Sequence, residues 1–373
     1  MISRGSEWHR WEPHIHAPGT LFNNQFKGPN AWGDYLTSLE QATPVIRAIA
    51  VTDYYLTDTY QHLVREMKEN GRLQEVALVF PNVELRLDVA TVKERWTNIH
   101  LLVCPDDPKH VSGVERFLSR LRFEAFGDNF ACTREDLAKL GRKSKPELND
   151  ERAAFRHGAS QFKVNFGKLR EEYGRSDWAK KNILIAVAGA ETDGTSGIRD
   201  ANDTTLRQEI EKFAHVIFAS SPAQQDFWLG RRSGVGEDVL RERYDGCKPC
   251  LHGSDAHEQA TVAKPDGNRY SWIKGTLEFD ALCQAYIDPA GRAYVGPHPP
   301  FRATPASVIA EVELTGADWA QTPKLALNPG LVAIIGARGS GKTALADAIA
   351  AGCDATDGRL SNVDFPRKSG GLF

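Results

Sequence analysis

Short apolar runs alternate along this chain with stretches whose apolar residues recur at helical spacing. The runs are Pro13–Ala17, Val45–Thr52, Val76–Val83, Asn98–Cys104, Asn182–Ala190, His215–Ser220 and Pro249–Gly253. Between several of them lie amphipathic segments: Thr59–Asn70, Lys109–Ala125, Thr204–Phe213 and Glu237–Tyr244. Seven buried-type strands alternating with helices predict a parallel β/α architecture. Polar residues end so many different strands that a closed barrel suits the pattern better than an open sheet.

One connection breaks the rhythm. The 77 residues between Cys104 and Asn182 hold no strand-like run, so residues 105–181 are expected to form a helical insertion. Its second half, Gly141–Lys181, carries 11 Lys/Arg against 6 Asp/Glu, a net of +5 over 41 residues. It reads either as a solvated helical face or as a basic flap over a polyanionic substrate. A second break follows Ala290, where four prolines fall within GRAYVGPHPPFRATP. That composition places a domain boundary there, giving residues 1–302 and 303–373. In the second part, Ser307–Thr315, Lys324–Leu327 and Gly330–Ile335 look like strands.

Composition narrows the class without choosing a function. The 373 residues are 41% hydrophobic and 25% charged, which excludes a disordered, collagen-like or disulfide-stapled chain. The longest apolar stretch, Ile183–Ala190, is far short of the roughly 20 residues of a membrane span. MISRGSEWHRWEPH has no apolar h-region, so no secretory signal and no membrane partner are expected. Six cysteines make no disulfide framework, and a cytoplasmic location is the expectation. A net charge of −3 does not announce a nucleic-acid binder, although it hides the basic half of the insertion.

The chemistry gathers at the strand ends. His14 and His16 stand at i and i+2 on the first run, so both imidazoles face one side. The second run ends Thr52-Asp53, the third near Glu84, and the fourth contains His100. The last ends Gly253-Ser254-Asp255-Ala256-His257, another i, i+2 pair of ligand type. Imidazole with carboxylate suits Zn²⁺, Mn²⁺ or Fe, and a barrel rim would bring these residues together. Arg86, Arg231, Arg232 and Lys274 are candidates to clamp phosphate oxygens. Cys247 and Cys250 form a lone C-x-x-C, expected to be packing. Asp226–Leu229 reads as a stacking platform for a base or, in preference, as a buried aromatic cap on the barrel, and Trp8 and Trp11 are expected to pack in its core or at its bottom.

The order H-x-H, T-D, a strand-borne Glu, H-L-L and G-S-D-A-H resembles the PHP (polymerase and histidinol phosphatase) superfamily over about residues 8–300. The resemblance implies a distorted (β/α)7 barrel with up to three metals that cleaves phosphoester bonds. It implies metal ligands at His14, His16, Glu84, His100, Asp255 and His257, with Asp53 supporting or joining them. Glu84 matches a bridging carboxylate, and Asp53, Glu84 and His257 are the expected catalytic residues. Two positions depart from the family pattern. Tyr54 stands where T-D-H has its His, and the fifth strand offers only Glu191 or Asp193 for another. One or two ions, Mn or Zn, are therefore expected rather than three.

Leu331–Ile335 runs into Gly336-Ala337-Arg338-Gly339-Ser340-Gly341-Lys342-Thr343 and then ALADAIAAG. This is G-x-x-x-x-G-K-[ST] between a strand-like and a helix-like segment. Gly336, Gly339 and Gly341 would let backbone N–H groups wrap phosphates, Lys342 would reach the β/γ oxygens of ATP, and Thr343 would hold Mg²⁺. The lead-in resembles an ABC/SMC-type ATPase, and the whole order is similar to TrlF-type PHP–ATPase proteins, some relatives of which sit among anti-phage defence genes. That resemblance implies a nuclease governed by an ATPase, with nucleic acid as substrate. Only 31 residues follow Lys342 (373 − 342) and no convincing Walker-B strand is among them, so a truncated ATPase segment and a separate or partner ATPase half are expected. The rival reading is a decayed barrel that binds nucleic acid or a partner, and homo-oligomerisation is left open.

Overall fold

The computed structural model describes residues 4–90, 96–189, 204–300, 308–315, 321 and 324–353. They divide into two compact units, Trp8–Pro300 and the described part of Met1–Glu7 with Phe301–Phe373.

The larger unit is built on strands β1 (Glu7–His16), β2 (Ile46–Tyr54), β3 (Leu78–Ala90), β4 (Trp96–Val103), β5 (Arg122–Ala125), β6 (Asp128–Ala131), β7 (Ile183–Ala188), β8 (Val216–Phe218), β9 (Cys250–Leu251), β10 (Tyr270–Gly275) and β11 (Ala293–Gly296). Its helices are α1 (Ala31–Glu40), α2 (Asp58–Asn70), α3 (His110–Leu118), α4 (Arg134–Ser144), α5 (Glu151–Gln161), α6 (Phe166–Arg175), α7 (Asp177–Asn182), α8 (Thr204–Phe213), α9 (Pro222–Trp228), α10 (Glu237–Tyr244), α11 (Asp280–Ile287) and α12 (Pro289–Arg292). Nine of the strands form one sheet in the order β11-β10-β1-β2-β3-β4-β7-β8-β9.

Alternation along β2 shows how the layers form. Ala48 and Ala50 face inward beside Trp11 and Phe80, whose rings lie 5.9 Å apart. Ile49 and Val51 face outward and pack with Tyr35, Leu36 and Leu63 of α1 and α2. Small inward alanines beside two large aromatics let a narrow barrel fill without voids.

The sheet curls until its ends meet, but the last joint is made by side chains. Ser271 Oγ of β10 accepts from His252 N at 2.7 Å and donates to His252 O at 2.9 Å. Gln225 likewise bonds both Val295 N and Val295 O of β11, each at 3.0 Å. The result is an α/β fold on a nearly closed barrel.

Two expectations are corrected. The sheet has nine strands, because β10 and β11 join it beyond the seven runs. It is also mixed rather than parallel. β1, β2 and β3 run parallel, and so do β7, β8 and β9, but β4 is antiparallel to both β3 and β7. Only residues 91–95 separate β3 from β4, and a parallel crossover needs a dozen or more.

The insertion is not wholly helical. The segment expected as one helix, Lys109–Ala125, stops being helical at Leu118, and β5 follows in an antiparallel hairpin with β6. The hairpin turns through Phe126 and Gly127, both at positive φ (53° and 74°), which is the two-residue geometry that matches strand twist. Helices α4 and α5 then pack back to back through glycines. A Cβ on Gly141 would lie 1.9 Å from Ala154 O, and one on Gly158 only 1.7 Å from Leu137 O. The pair is fastened to the barrel where β3 continues past Glu84. Val164 N bonds Arg86 O at 2.8 Å, Asp88 N bonds Val164 O at 3.0 Å, and Tyr55 Oη donates to Phe162 O at 3.1 Å.

The smaller unit has a hairpin of β12 (Glu311–Glu313) and β13 (Lys324–Ala326) and the helix α13 (Lys342–Gly352). The third strand expected there, Gly330–Ile335, is not formed. Leu331 and Ile335 are 91% and 89% exposed, and no ladder partner stands beside them among the described residues. No helix among the described residues is long and apolar enough to cross a membrane.

Candidate metal centre

The first strand delivers two imidazoles to one point. Pro13 has no N–H to give a ladder, and the β1–β2 register shifts between Glu12 and Ile15. His14 lies within that irregularity and His16 just beyond it, only 3% and 0% exposed. Glu84 of β3 stands directly opposite His100 of β4, so the two share a face. The segment after β9 then folds across β1. Asp255 N bonds His14 O at 2.9 Å, and Ser254 N bonds Glu12 Oε1 at 2.6 Å. A Cβ on Gly253 would come within 2.4 Å of His14 O, so only glycine admits this approach. Asp255 itself is held at φ 46°, a conformation that Asp tolerates better than most residues.

These elements bring Nε2 of His14 to 3.8 Å from Glu84 Oε2 and 3.2 Å from Asp255 Oδ1. Nε2 of His16 lies 3.4 Å and 3.6 Å from the same two oxygens, and Nε2 of His257 lies 3.6 Å from Asp255 Oδ1. The rings of His16 and His257 stack at 4.0 Å. Two groups of three ligand atoms result, His14/His16/Glu84 and His16/Asp255/His257, each with its atoms within 4.8 Å of one another. Nε2 of His14, His16 and His257 and Oε2 of Glu84 are buried with no hydrogen-bond partner. Four converging orphans of that kind would be costly in a site meant to stay without a cation. The donor set and the orphaned atoms fit a divalent metal.

Behind the ligands lies a shell that fixes their protons. His16 Nδ1 is 3.0 Å from Thr20 Oγ1, and that hydroxyl donates to Asp53 Oδ1 at 3.2 Å. Thr20 must therefore accept from His16, which puts the ring proton on Nδ1 and the lone pair on Nε2. His100 Nδ1 is 3.0 Å from Asn82 Oδ1, while Asn82 Nδ2 donates to Pro13 O at 3.1 Å, so His100 also carries its proton on Nδ1. Asn98 donates to Glu84 Oε1 and leaves Oε2 for the cluster.

Asp53 and His100 adjoin the two groups of three without being members of either. Asp53 accepts from Thr20, Leu21 N (2.9 Å), Tyr54 N (2.8 Å) and Thr59 Oγ1 (3.2 Å). His100 sits edge-on to His14 at 4.8 Å. Tyr54 stacks on His16 at 5.1 Å, and burial pushes its hydroxyl well above its ordinary pKa, so it faces the site as a neutral phenol. Glu191 and Asp193 lie outside the described residues. Thr20 was missed in sequence reasoning; its place four residues after His16, in a turn, was the available signal.

Electrostatics favour a cation. Burial alone would raise Glu84, but His14 and His16 overcome it and hold the carboxyl well below its ordinary range. Burial pushes His100 down to about 3 and His257 to about 4, so both are neutral lone-pair donors near pH 7. Burial also lowers His14, yet Asp255 and Glu84 outweigh it and leave it raised.

Of the phosphate-clamp candidates, Arg86 comes nearest. Its guanidinium lies 4.5 Å over Phe22 and 5.5 Å over Tyr54, with no carboxylate partner among the described residues. Arg231 and Arg232 are exposed and Lys274 is half-buried. Cys250 is buried and Cys247 half-buried, both as free thiols, and Trp228 packs fully buried against Phe227 and Tyr244. Trp11 is core, while Trp8 is half-buried. In the smaller unit, Gly339 and Gly341 adopt φ +82° and +81°, and Lys342 Nζ donates to Gly336 O (2.9 Å) and Ala337 O (2.7 Å). Thr343 is exposed in the first turn of α13.

No protein-family model matches this chain, and no curated protein matches it. Among solved structures, a "putative metal-dependent phosphoesterase" from Bifidobacterium adolescentis aligns with it at 12% identity. The alignment covers 74% of this chain and 95% of that one, with a TM-score of 0.34.

Proposed function

We propose that the barrel is a metal-dependent phosphoesterase that hydrolyses phosphodiester bonds of nucleic acid. The observation that carries this reading is the convergence of orphaned ligand atoms from His14, His16, Glu84 and His257 on one point beside Asp255. His14, His16, Glu84, Asp255 and His257 would hold one or two divalent ions, with Asp53 and His100 as supports. When bound, such ions supply Lewis acidity toward phosphoryl oxygens and lower the pKa of water. Glu84 stays anionic and is held in place by Asn98. Asp255, 26% exposed and the most open of the five, is the ligand that an incoming water would meet first. Arg86, which lies over the rings of Phe22 and Tyr54 and has no carboxylate partner among the described residues, takes the non-bridging oxygens.

The test is a panel of DNA, RNA and an aryl phosphodiester offered to manganese- or zinc-loaded protein, with Glu84→Ala as control. Cleavage lost in the control supports the reading. Untouched substrates with both proteins sink it, and metal well below one equivalent would favour the binding-module reading.

The GARGSGKT loop is proposed to bind ATP with Mg²⁺ and to couple the barrel to an ATPase. Its support is the motif together with the left-handed Gly339 and Gly341 and the infolded Lys342. ATP affinity abolished by Lys342→Ala would bear this out; equal affinity would refute it. A role in anti-phage defence rests on the resemblance of the motif order alone.

A further inference from the structure

Beside the metal cluster, between the barrel and the insertion, lies a cavity of about 540 Å³. Thr20 and Asp53 line its barrel side, and Arg134, Arg152, Phe155 and Arg156 its insertion side. Thr20 also touches His16, so one side chain separates this cavity from the ligand cluster. Resting on the phosphoesterase reading, we propose that Arg152 and Arg156 form a subsite for a second phosphate of the substrate, one other than the phosphate attacked.

The carboxylates that line the cavity are each engaged by other donors, which leaves those two arginines without an ion pair among the described residues. Asp58 is taken by Arg134 at 2.5 Å, and Glu151 by Arg142. Asp150 caps α5 by accepting from Ala153 N, and Asp53 is filled by its four donors. Arg152 and Arg156 are exposed and have no ion pair among the described residues. They stand at i and i+4 on one face of α5, where two like charges repel. An anion between them removes that cost, and two guanidinium forks suit the oxygens of a phosphate.

The mount is stiff. The glycine-to-backbone approach of Gly141 and Gly158 locks α5 onto α4. Arg134 ties the pair to Asp58 of α2 and lies 4.9 Å over Phe155. The arginines are thus held over the cavity by the packing of the insertion rather than carried on a loose arm. Of the 11 basic residues in Gly141–Lys181, these two are the ones that line it. The substrate class that follows is a molecule with at least two phosphates, such as a nucleotide strand whose neighbouring phosphate reaches the insertion.

The proposal is tested by titration calorimetry on the full chain loaded with manganese, with adenosine 3′,5′-bisphosphate and adenosine 5′-monophosphate as probes. Wild type should bind the bisphosphate at least about tenfold tighter. The double variant Arg152→Gln with Arg156→Gln should lose that preference while its metal content stays unchanged. Lys168→Ala, an exposed substitution on α6, should keep it. Equal affinity of wild type for the two nucleotides, no binding of either, or an undiminished preference in the double variant overturns the subsite. Binding needs no turnover, so a preference that disappears in the double variant of a protein that cleaves nothing would keep the subsite and sink only the reaction.

Discussion

Thr20 stands between His16 and Asp53 as a one-way hydrogen-bond link. It accepts from His16 Nδ1 at 3.0 Å and donates to Asp53 at 3.2 Å. Thr20→Val keeps the shape and removes the link. Metal affinity should fall by about 10- to 100-fold with the fold intact, as expected when the outer partner of a metal-ligating His is lost. Competitive titration with a chelating dye measures it, and unchanged affinity would show that His16 needs no orientation from behind.

Asp53 is expected to act on stability more than on chemistry. Its oxygens collect four donors from the turn after β1, from β2 and from α2. Asp53→Ala would leave buried donors unsatisfied and should cost about 3 kcal/mol or more in denaturant unfolding. A loss of metal with full stability would contradict that division of labour.

Gly253 sits against His14 too closely for any side chain. Gly253→Ala should push the Asp255–His257 segment off β1 and lower metal occupancy, together with a loss of roughly 2 kcal/mol or more from overpacking. Elemental analysis beside thermal melting separates the two effects. Full occupancy at a lowered melting point would mean the segment can shift without losing its ligands.

Gly158→Ala meets a carbonyl oxygen at 1.7 Å rather than a side chain that could turn away. It should part α4 from α5, and amide exchange should speed up in those helices while the barrel strands stay protected. Uniformly faster exchange would show that the insertion and the barrel open together.

His215 makes the fold sensitive to acid away from the metal centre. Its Nδ1 accepts from Ile185 N at 2.9 Å. Burial, with Lys248 nearby, lowers its pKa from 6.5 to about 4. Below about pH 6.5 the unfolded chain takes up this proton and the folded one does not, so stability falls as the pH drops toward 4. The full window corresponds to about 3 kcal/mol. His215→Asn keeps an acceptor and removes the titration, so urea midpoints of wild type and variant should lie close together at pH 7 and diverge toward pH 4, where only the wild type loses this stability. Parallel curves would rule His215 out.

Much of the cluster could be read before any fold was known. His14 and His16 share a face because strands alternate, and Asp255 and His257 repeat that spacing where an apolar run stops. Glu84 could be placed on a strand, but its meeting with His100 depends on an antiparallel β4. That direction was hidden, because the apolar runs Val76–Val83 and Asn98–Cys104 leave 14 residues between them, and only the continuation of β3 to Ala90 shortens the link to residues 91–95. The hairpin of β5 and β6 was hidden because a half-exposed RFEA carries no long apolar run, although Gly127 in the turn that follows it was a signal in the sequence. β10 and β11 were hidden because they mix polar with apolar positions, and Ser271 turns out to be buried in the seam. The engagement of Asp53 by four donors comes from three separate elements, which no local pattern brings together.

The seam also bears on how the centre comes into being. Ser254 and Glu12, which bond across it, are 242 residues apart in the chain. Contacts that distant form late, after nearer ones have repaid part of the loop-closure entropy. His14, His16 and Glu84 can gather on the first strands, whereas Asp255 and His257 arrive only when the barrel's last segment crosses β1. The second half of the ligand set is therefore a timer for folding: a chain that binds its ions in full has already closed its barrel.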